Sequence, residues 1–342
     1  MNLICKISLA LLIFNCQAFF AQTNEIYKMP VAVVKYFPVD GNNIDIKITG
    51  DYGVPLAKAQ AKIDSLTPLL AATLEKNSIY RGYKDNSAAP SLDYEIVKEF
   101  EFHEAVPTYN SEDHKVPMTD YNAIMKKINA EYLINQLGVK EIWVWGYQGD
   151  KVDLWESNMS SKYGDVSNSD RSETDLPVYD HTYIVYHYNY QRALSEAVED
   201  HMHQIEALLN HIDGRDTTAE KDWGKLLFWG KFVGSDATYK IVNPGCGWAH
   251  YPPNAVKDYD WKNKTYVWTD IEDWQPDGTG KKININCERW NCKSVDWFTY
   301  WMQSLPGKNN GLKYNGKSLT NWWQFVGDWD NAKKNNIGLT GK

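Results

Sequence analysis

The chain has 342 residues, 36 basic side chains against 44 acidic ones, a net charge of −8, and 43% hydrophobic and 23% charged residues. That acidic balance argues against nucleic acid and anionic membranes as partners, since both are met by basic surfaces. A chain this long buries a core without covalent staples, so stability does not force its cysteines to pair.

Residues 1–21 hold a lysine at position 6, an apolar run from Ile7 to Phe14, and small residues at Ala18 and Ala21. This is signal-peptide patterning, too short to span a bilayer, and it predicts a secreted or periplasmic protein. Cleavage after Ala18 or after Ala21 stays open. Asn15 before Cys16 argues against a lipoprotein anchor. No later stretch is apolar enough for an integral membrane segment. Beyond the leader, three cysteines remain, Cys246, Cys287 and Cys292. Outside the cytoplasm two of them are expected to bridge, with Cys246 to Cys287 preferred and Cys287 to Cys292 the competitor.

In the first half, Val31 to Phe37 reads as a strand, and Ile44, Ile46 and Ile48 alternate as a second, half-buried one. A helix is predicted from Leu56 to Glu75, broken or kinked at Pro68. Glu95 to Glu104 alternates Ile96, Phe100 and Phe102 with charged residues, which predicts an edge strand. Thr119 is placed to cap a helix that ends at Gly138, and a strand follows over Glu141 to Trp145. After a polar loop, Thr182 to Tyr188 reads as a strand running into a helix from Gln191 to Ile212. The expected fold is α/β, with a central mixed or parallel sheet flanked by helices over residues 22–221.

The chain holds 15 tryptophans, and 12 of them follow Asp222. There regular periodicity thins to two helical patterns, Ser294 to Leu305 and Ser318 to Val326. Residues 222–342 are therefore expected to wrap the core as a Trp-rich, largely irregular extension, giving one globular domain over 22–342.

In α/β sheets ligands sit beyond the carboxyl ends of the strands. The exit after Trp145 offers Tyr147, Gln148, Asp150, Asp153 and Glu156, and the exit around Tyr188 offers His187, Asn189 and Arg192. If the two strands lie side by side and point the same way, Glu156 and His187 can share acid–base work while Arg192 holds a polar or anionic group. On the following helix, Arg192, Glu196, Glu199, His203 and Glu206 fall on one stripe at about 100° per residue. Such a stripe can ligate a metal, but opposite an apolar face it reads first as a solvated surface. His201 falls among the apolar residues, as a core histidine or as an imidazole for proton transfer or metal ligation.

The segment GCGWAHYPPN, Gly245 to Asn254, is rigid by composition and can present Trp248, His250, Tyr251 and Asn254 to a ligand, or can simply pack. Cys246 with His250 has the elements of a nucleophile and base, although a disulfide fits the compartment better. Asp258, Asp260, Asp270, Glu272, Asp273, Asp328 and Asp330 supply oxygens without the calcium-loop spacing. HExxH, GxSxG and a dinucleotide fingerprint are absent from the sequence.

These features predict a secreted hydrolase acting on an extracellular polymer, a polysaccharide, with Glu156, His187, His201 and His250 as catalytic candidates. Tyr147, Asn189, Arg192, Trp248, Tyr251 and Asn254 are the substrate-binding candidates. Two alternatives stand beside it: a hydrolase that uses a divalent metal, with His201 and His203 as ligand candidates joined by His187 and His250, and a non-catalytic glycan-binding protein.

Overall fold

A computed structural model describes residues 26–110, 114–168 and 175–341. The leader reading, with Cys5 and Cys16, lies outside these residues. A five-stranded sheet is built from β1 (Tyr27–Tyr36), β2 (Leu92–Phe102), β3 (Glu141–Gly146), β4 (Ser157–Ser160) and β5 (Tyr183–Asn189). Its order is β2-β1-β3-β5-β4. The first four strands in that order are mutually parallel, and β4 closes the edge antiparallel to β5. β3 and β5 are buried on both faces, which is why their sequences are continuous apolar runs. β2 lies at the other edge, and its outer half alternates partly buried and exposed residues, as the sequence predicts.

Helix α1 (Leu56–Asn77) leads from β1 to β2, and α2 (Tyr121–Lys127) with α3 (Ala130–Leu137) leads from β2 to β3. Helix α4 (Leu194–Ile212) follows β5, and α5 (Ser294–Met302) belongs to the C-terminal half. α1, α4 and α5 pack on one another. The rings of Trp143, Tyr186 and Tyr188 meet His201 of α4, whereas His187, offset by one residue along β5, meets Tyr121 of α2 on the opposite face. One hydrophobic core includes residues of both halves, among them Val33, Trp143 and Leu208 with Trp297, Trp301 and Trp322. No helix of the described residues is long and apolar enough to cross a membrane.

Several local expectations are corrected. Ile46 and Ile48 lie in a short helix, Ile46–Thr49, because the Asp45 carboxylate accepts from Lys47 N at 2.8 Å and caps it. Pro68 lies inside α1, which runs on to Asn77 because Ile63, Thr67, Leu70 and Leu74 keep one buried face. Asp120, not Thr119, caps α2, accepting from Ala123 N at 2.9 Å, and Asn129 at φ 53° separates α2 from α3. The chain over Ser318 to Val326 holds a two-residue strand and a short helix, Gln324–Gly327, instead of one helix. The bridge joins Cys287 to Cys292, not Cys246 to Cys287. A 3-10 turn over Cys287–Trp290 and left-handed Asn291 and Cys292 fold that loop back on itself, while Cys246 is free and buried in the core.

Candidate functional site: a polar cleft and a histidine–glutamate cluster along one helix

Trp145 stands opposite Tyr188 and Gly146 opposite Asn189 in parallel register, so β3 and β5 leave the sheet together. Their exits enclose a cleft of about 340 Å³ lined by Glu156, His187, Asn189, Arg192, Glu196 and Asp200, with Gln148 and Trp155 on its wall. The reason is topological: β5 runs almost directly into α4, and β4 begins beside its end, where His187 N donates to the Glu156 carbonyl at 3.3 Å.

Several polar groups here have no hydrogen-bond partner among the described residues. Asp200 is 2% exposed and accepts no side-chain or loop hydrogen bond from any described residue. His187 Nε2, Glu196 Oε2 and Trp155 Nε1 are also buried without one. His187 holds only its Nδ1 side, 3.2 Å from the Tyr121 hydroxyl. A side chain at Gly146 would stand 2.3 Å from His187 Nε2, so glycine at this strand end leaves the imidazole its space. Burial pushes the Asp200 carboxyl upward, reinforced by Glu156 and Glu196. Burial likewise raises Glu196 to about 7 against the pull of Arg192, 2.6 Å away, and lowers His187 to about 3. A larger cavity, about 520 Å³, lies at the opposite end of the strands, where β3 and β5 begin. Its Asp330 is already engaged by Thr182, and its Lys140 by the Gly327 carbonyl.

One turn further along α4, the charged stripe is not the solvated face that an isolated helix would suggest. The Gly245 to Asn254 segment lies over it, and Glu206 Oε1 accepts from Ala249 N at 2.6 Å. His250 thereby descends onto the stripe. Its Nε2 is 3.0 Å from Glu199 Oε1 and 3.1 Å from His203 Nε2. His203 Nε2 is 3.7 Å from the same Glu199 oxygen. The outer nitrogens face two further carboxylates: His203 Nδ1 is 3.7 Å from Glu206 and His250 Nδ1 is 2.9 Å from Asp258. Burial alone would lower His203, but Glu199 and Glu206 outweigh it and hold the imidazole well above its usual range. Burial would likewise raise Glu199, but His203 and His250 draw it below its ordinary value.

The tryptophans of the C-terminal half fix this segment. Trp261 and Trp297 both donate to the Ala249 carbonyl, at 3.0 and 2.9 Å, and Trp301 donates to the Gly247 carbonyl at 2.7 Å. Trp248 and Tyr251 exchange backbone hydrogen bonds at 3.0 Å, a tight turn that throws His250 outward. Gly247 has φ 76°, and a Cβ there would lie 2.4 Å from the Tyr251 carbonyl oxygen.

The structure thus gathers Glu156, His187, Asn189 and Arg192 in the cleft, and His203 with His250 beside it. Other candidates are engaged elsewhere. His201 is buried on the far side of α4, stacked on Tyr186 at 3.8 Å with Nε2 2.8 Å from the Tyr188 hydroxyl, and joins neither cluster. Tyr147 points its hydroxyl at Val106 N, 3.1 Å away. Asn254 braces its own loop through the Asn263 and Thr265 carbonyls. Trp248 stacks between His250 and Tyr251, at 5.4 and 5.0 Å, and so supports the histidine. Buried Cys246 is not among the residues of either cluster. Of the scattered acidic residues Asp258 alone meets the site; Glu272 pairs with Arg289 and Asp273 with Arg81. Glu199 and Glu206 were legible only as part of a charged stripe, because the loop that covers them is more than 40 residues away in sequence; Glu196 lay on the same stripe, and the sequence reading missed Asp200.

Searches against protein-family models, curated proteins and solved structures find no significant match to this chain.

Proposed function

We propose that this protein is a hydrolase of an extracellular glycan and that the cleft between the ends of β3 and β5 is its active site. The observation that carries the reading is the unmet hydrogen-bonding capacity of that cleft: Glu196 Oε2, His187 Nε2 and Trp155 Nε1 are buried in one polar recess with no hydrogen-bond partner among the described residues, beside the buried Asp200 side chain. Leaving such groups unpaired costs about 1 to 3 kcal/mol each, and a bound ligand rich in hydroxyls removes that cost. Exposed Glu156 and buried Asp200 place two carboxylates in contrasting surroundings, the arrangement by which a base and an acid are separated across a glycosidic bond. Arg192, 59% exposed and paired with Glu196, stands at the rim to orient the substrate. The volume suits one sugar unit, and the aromatic wall of Trp155 suits its face.

The test is release of reducing ends from a polysaccharide panel by the full chain and by Glu156→Gln. Turnover that falls at least about 100-fold in the variant while binding persists supports the assignment. A wild-type protein that binds a polysaccharide but never cleaves one is a lectin instead, and full activity in the variant removes Glu156.

A further inference from the structure

Beside the cleft, the structure assigns a second kind of chemistry: we infer that Glu199, His203 and His250 form a binding site for one divalent transition-metal ion of the zinc class. Its role in catalysis rests on the hydrolase reading above; its existence does not.

The first argument is metric. Glu199 Oε1, His203 Nε2 and His250 Nε2 lie within 4.8 Å of one another, at pairwise separations of 3.0, 3.1 and 3.7 Å. A tetrahedral ion with bonds of about 2.0 to 2.1 Å spaces its ligand atoms by roughly 3.3 Å. The three protein atoms already stand at that spacing, on three side chains that are only 11 to 15% exposed.

The second argument is the outer layer. An imidazole that binds a metal through Nε2 is oriented by a carboxylate or carbonyl at Nδ1, which keeps the proton there and leaves the lone pair on Nε2. His250 has that partner in Asp258 at 2.9 Å, and His203 faces the Glu206 carboxylate as an ion-pair contact at 3.7 Å. The two Nε2 atoms face each other at 3.1 Å, and with both rings protonated at Nδ1 they turn two lone pairs toward one point, which a cation satisfies.

The third argument is charge. Glu199, Glu206 and Asp258 bring three carboxylates to two imidazoles, with Glu156 acting on His203 from the cleft. Even with both rings protonated the group keeps a surplus negative charge, which a doubly charged cation offsets. Three protein ligands leave a fourth position open, as reactive sites do and structural ones do not. Glu199 and His203 lie on the helix that carries Glu196 and Asp200 into the cleft. The ion therefore lies next to the proposed substrate. There it would supply Lewis-acid polarisation or an activated water.

The experiment is titration of the chelator-treated full chain with Zn²⁺, followed by calorimetry and by elemental analysis after gel filtration. One equivalent per chain is expected, with a dissociation constant below about 1 μM and a rise in melting temperature. Co²⁺ in its place should give the intense visible bands of a four-coordinate ion. His203→Ala and His250→Ala should each weaken Zn²⁺ at least about 100-fold. His250→Gln serves as the second variant if an alanine disrupts folding, with far-ultraviolet dichroism as the check. Failure of the wild type to retain Zn²⁺, Mn²⁺, Co²⁺ or Ni²⁺ overturns the inference, as does retention unchanged in the folded variants. Hydrolysis that survives complete metal removal and still needs Glu156 would leave the proposed function standing without this site. Tight metal binding with no hydrolysis would leave the site standing without that function.

Discussion

His250 sits 2.9 Å from the Asp258 carboxylate through Nδ1 and 3.1 Å from His203 through Nε2, so a carboxylate eight residues away sets which side of the ring carries its lone pair. Asp258→Asn should weaken Zn²⁺ about 10- to 100-fold and leave its stoichiometry at one, because the ligand remains while its orientation and basicity decline. A competition titration against a chromophoric chelator measures this, and an unchanged affinity would remove Asp258 from the outer layer.

Trp301 anchors the loop that carries His250 by donating to the Gly247 carbonyl at 2.7 Å. Trp301→Phe keeps much of the aromatic packing but leaves that buried carbonyl without its donor, which should cost about 1 to 3 kcal/mol in urea unfolding. Amide exchange at Ala249 and His250 should quicken more than exchange in β1, since the lost bond is local.

Gly247 should tolerate no side chain. Its φ of 76° and the 2.4 Å approach of a Cβ to the Tyr251 oxygen force the turn to open in Gly247→Ala. The expected result is a lower melting temperature together with weaker Zn²⁺ binding, read by calorimetry on the same sample.

His201 makes the opposite prediction. It is neutral, stacked on Tyr186 and bonded to Tyr188, and its pKa is held well below the usual histidine range by burial. His201→Leu should destabilise the fold by about 1 to 3 kcal/mol, because the buried Tyr188 hydroxyl loses its partner, yet leave metal stoichiometry unchanged. A variant that folds but no longer takes up metal would show that the two histidine clusters are coupled.

Glu141 predicts a pH dependence. Burial raises its carboxyl to about 7, although Trp143 and Tyr94 donate to it and Lys140 is adjacent. Below its ordinary value of 4.5 it is protonated in folded and unfolded chains alike and makes no difference. As pH rises from there to about 7 the folded state alone keeps the proton, so stability falls by up to roughly 3 kcal/mol and then levels off. Glu141→Gln should flatten that part of the urea-midpoint profile while leaving the acid side unchanged.

Some of this was determined by the sequence alone. Continuous apolar runs at Glu141 to Trp145 and Thr182 to Tyr188 cannot be half-solvated strands, so they had to be central. The helix after β5 was equally legible from its apolar face, and the shared exit of the two strands followed once their parallel pairing was assumed. Only the tertiary structure decided what the polar face of α4 meets. Helical periodicity reports which side of a helix is charged, but cannot report that a loop 40 or more residues later will cover it. His203 and His250 become neighbours because indole N–H groups of Trp261, Trp297 and Trp301 grip loop carbonyls, contacts that have no period in the chain. For the same reason the disulfide was misassigned. Local left-handed backbone at Asn291 and Cys292, not loop length, brings Cys287 its partner.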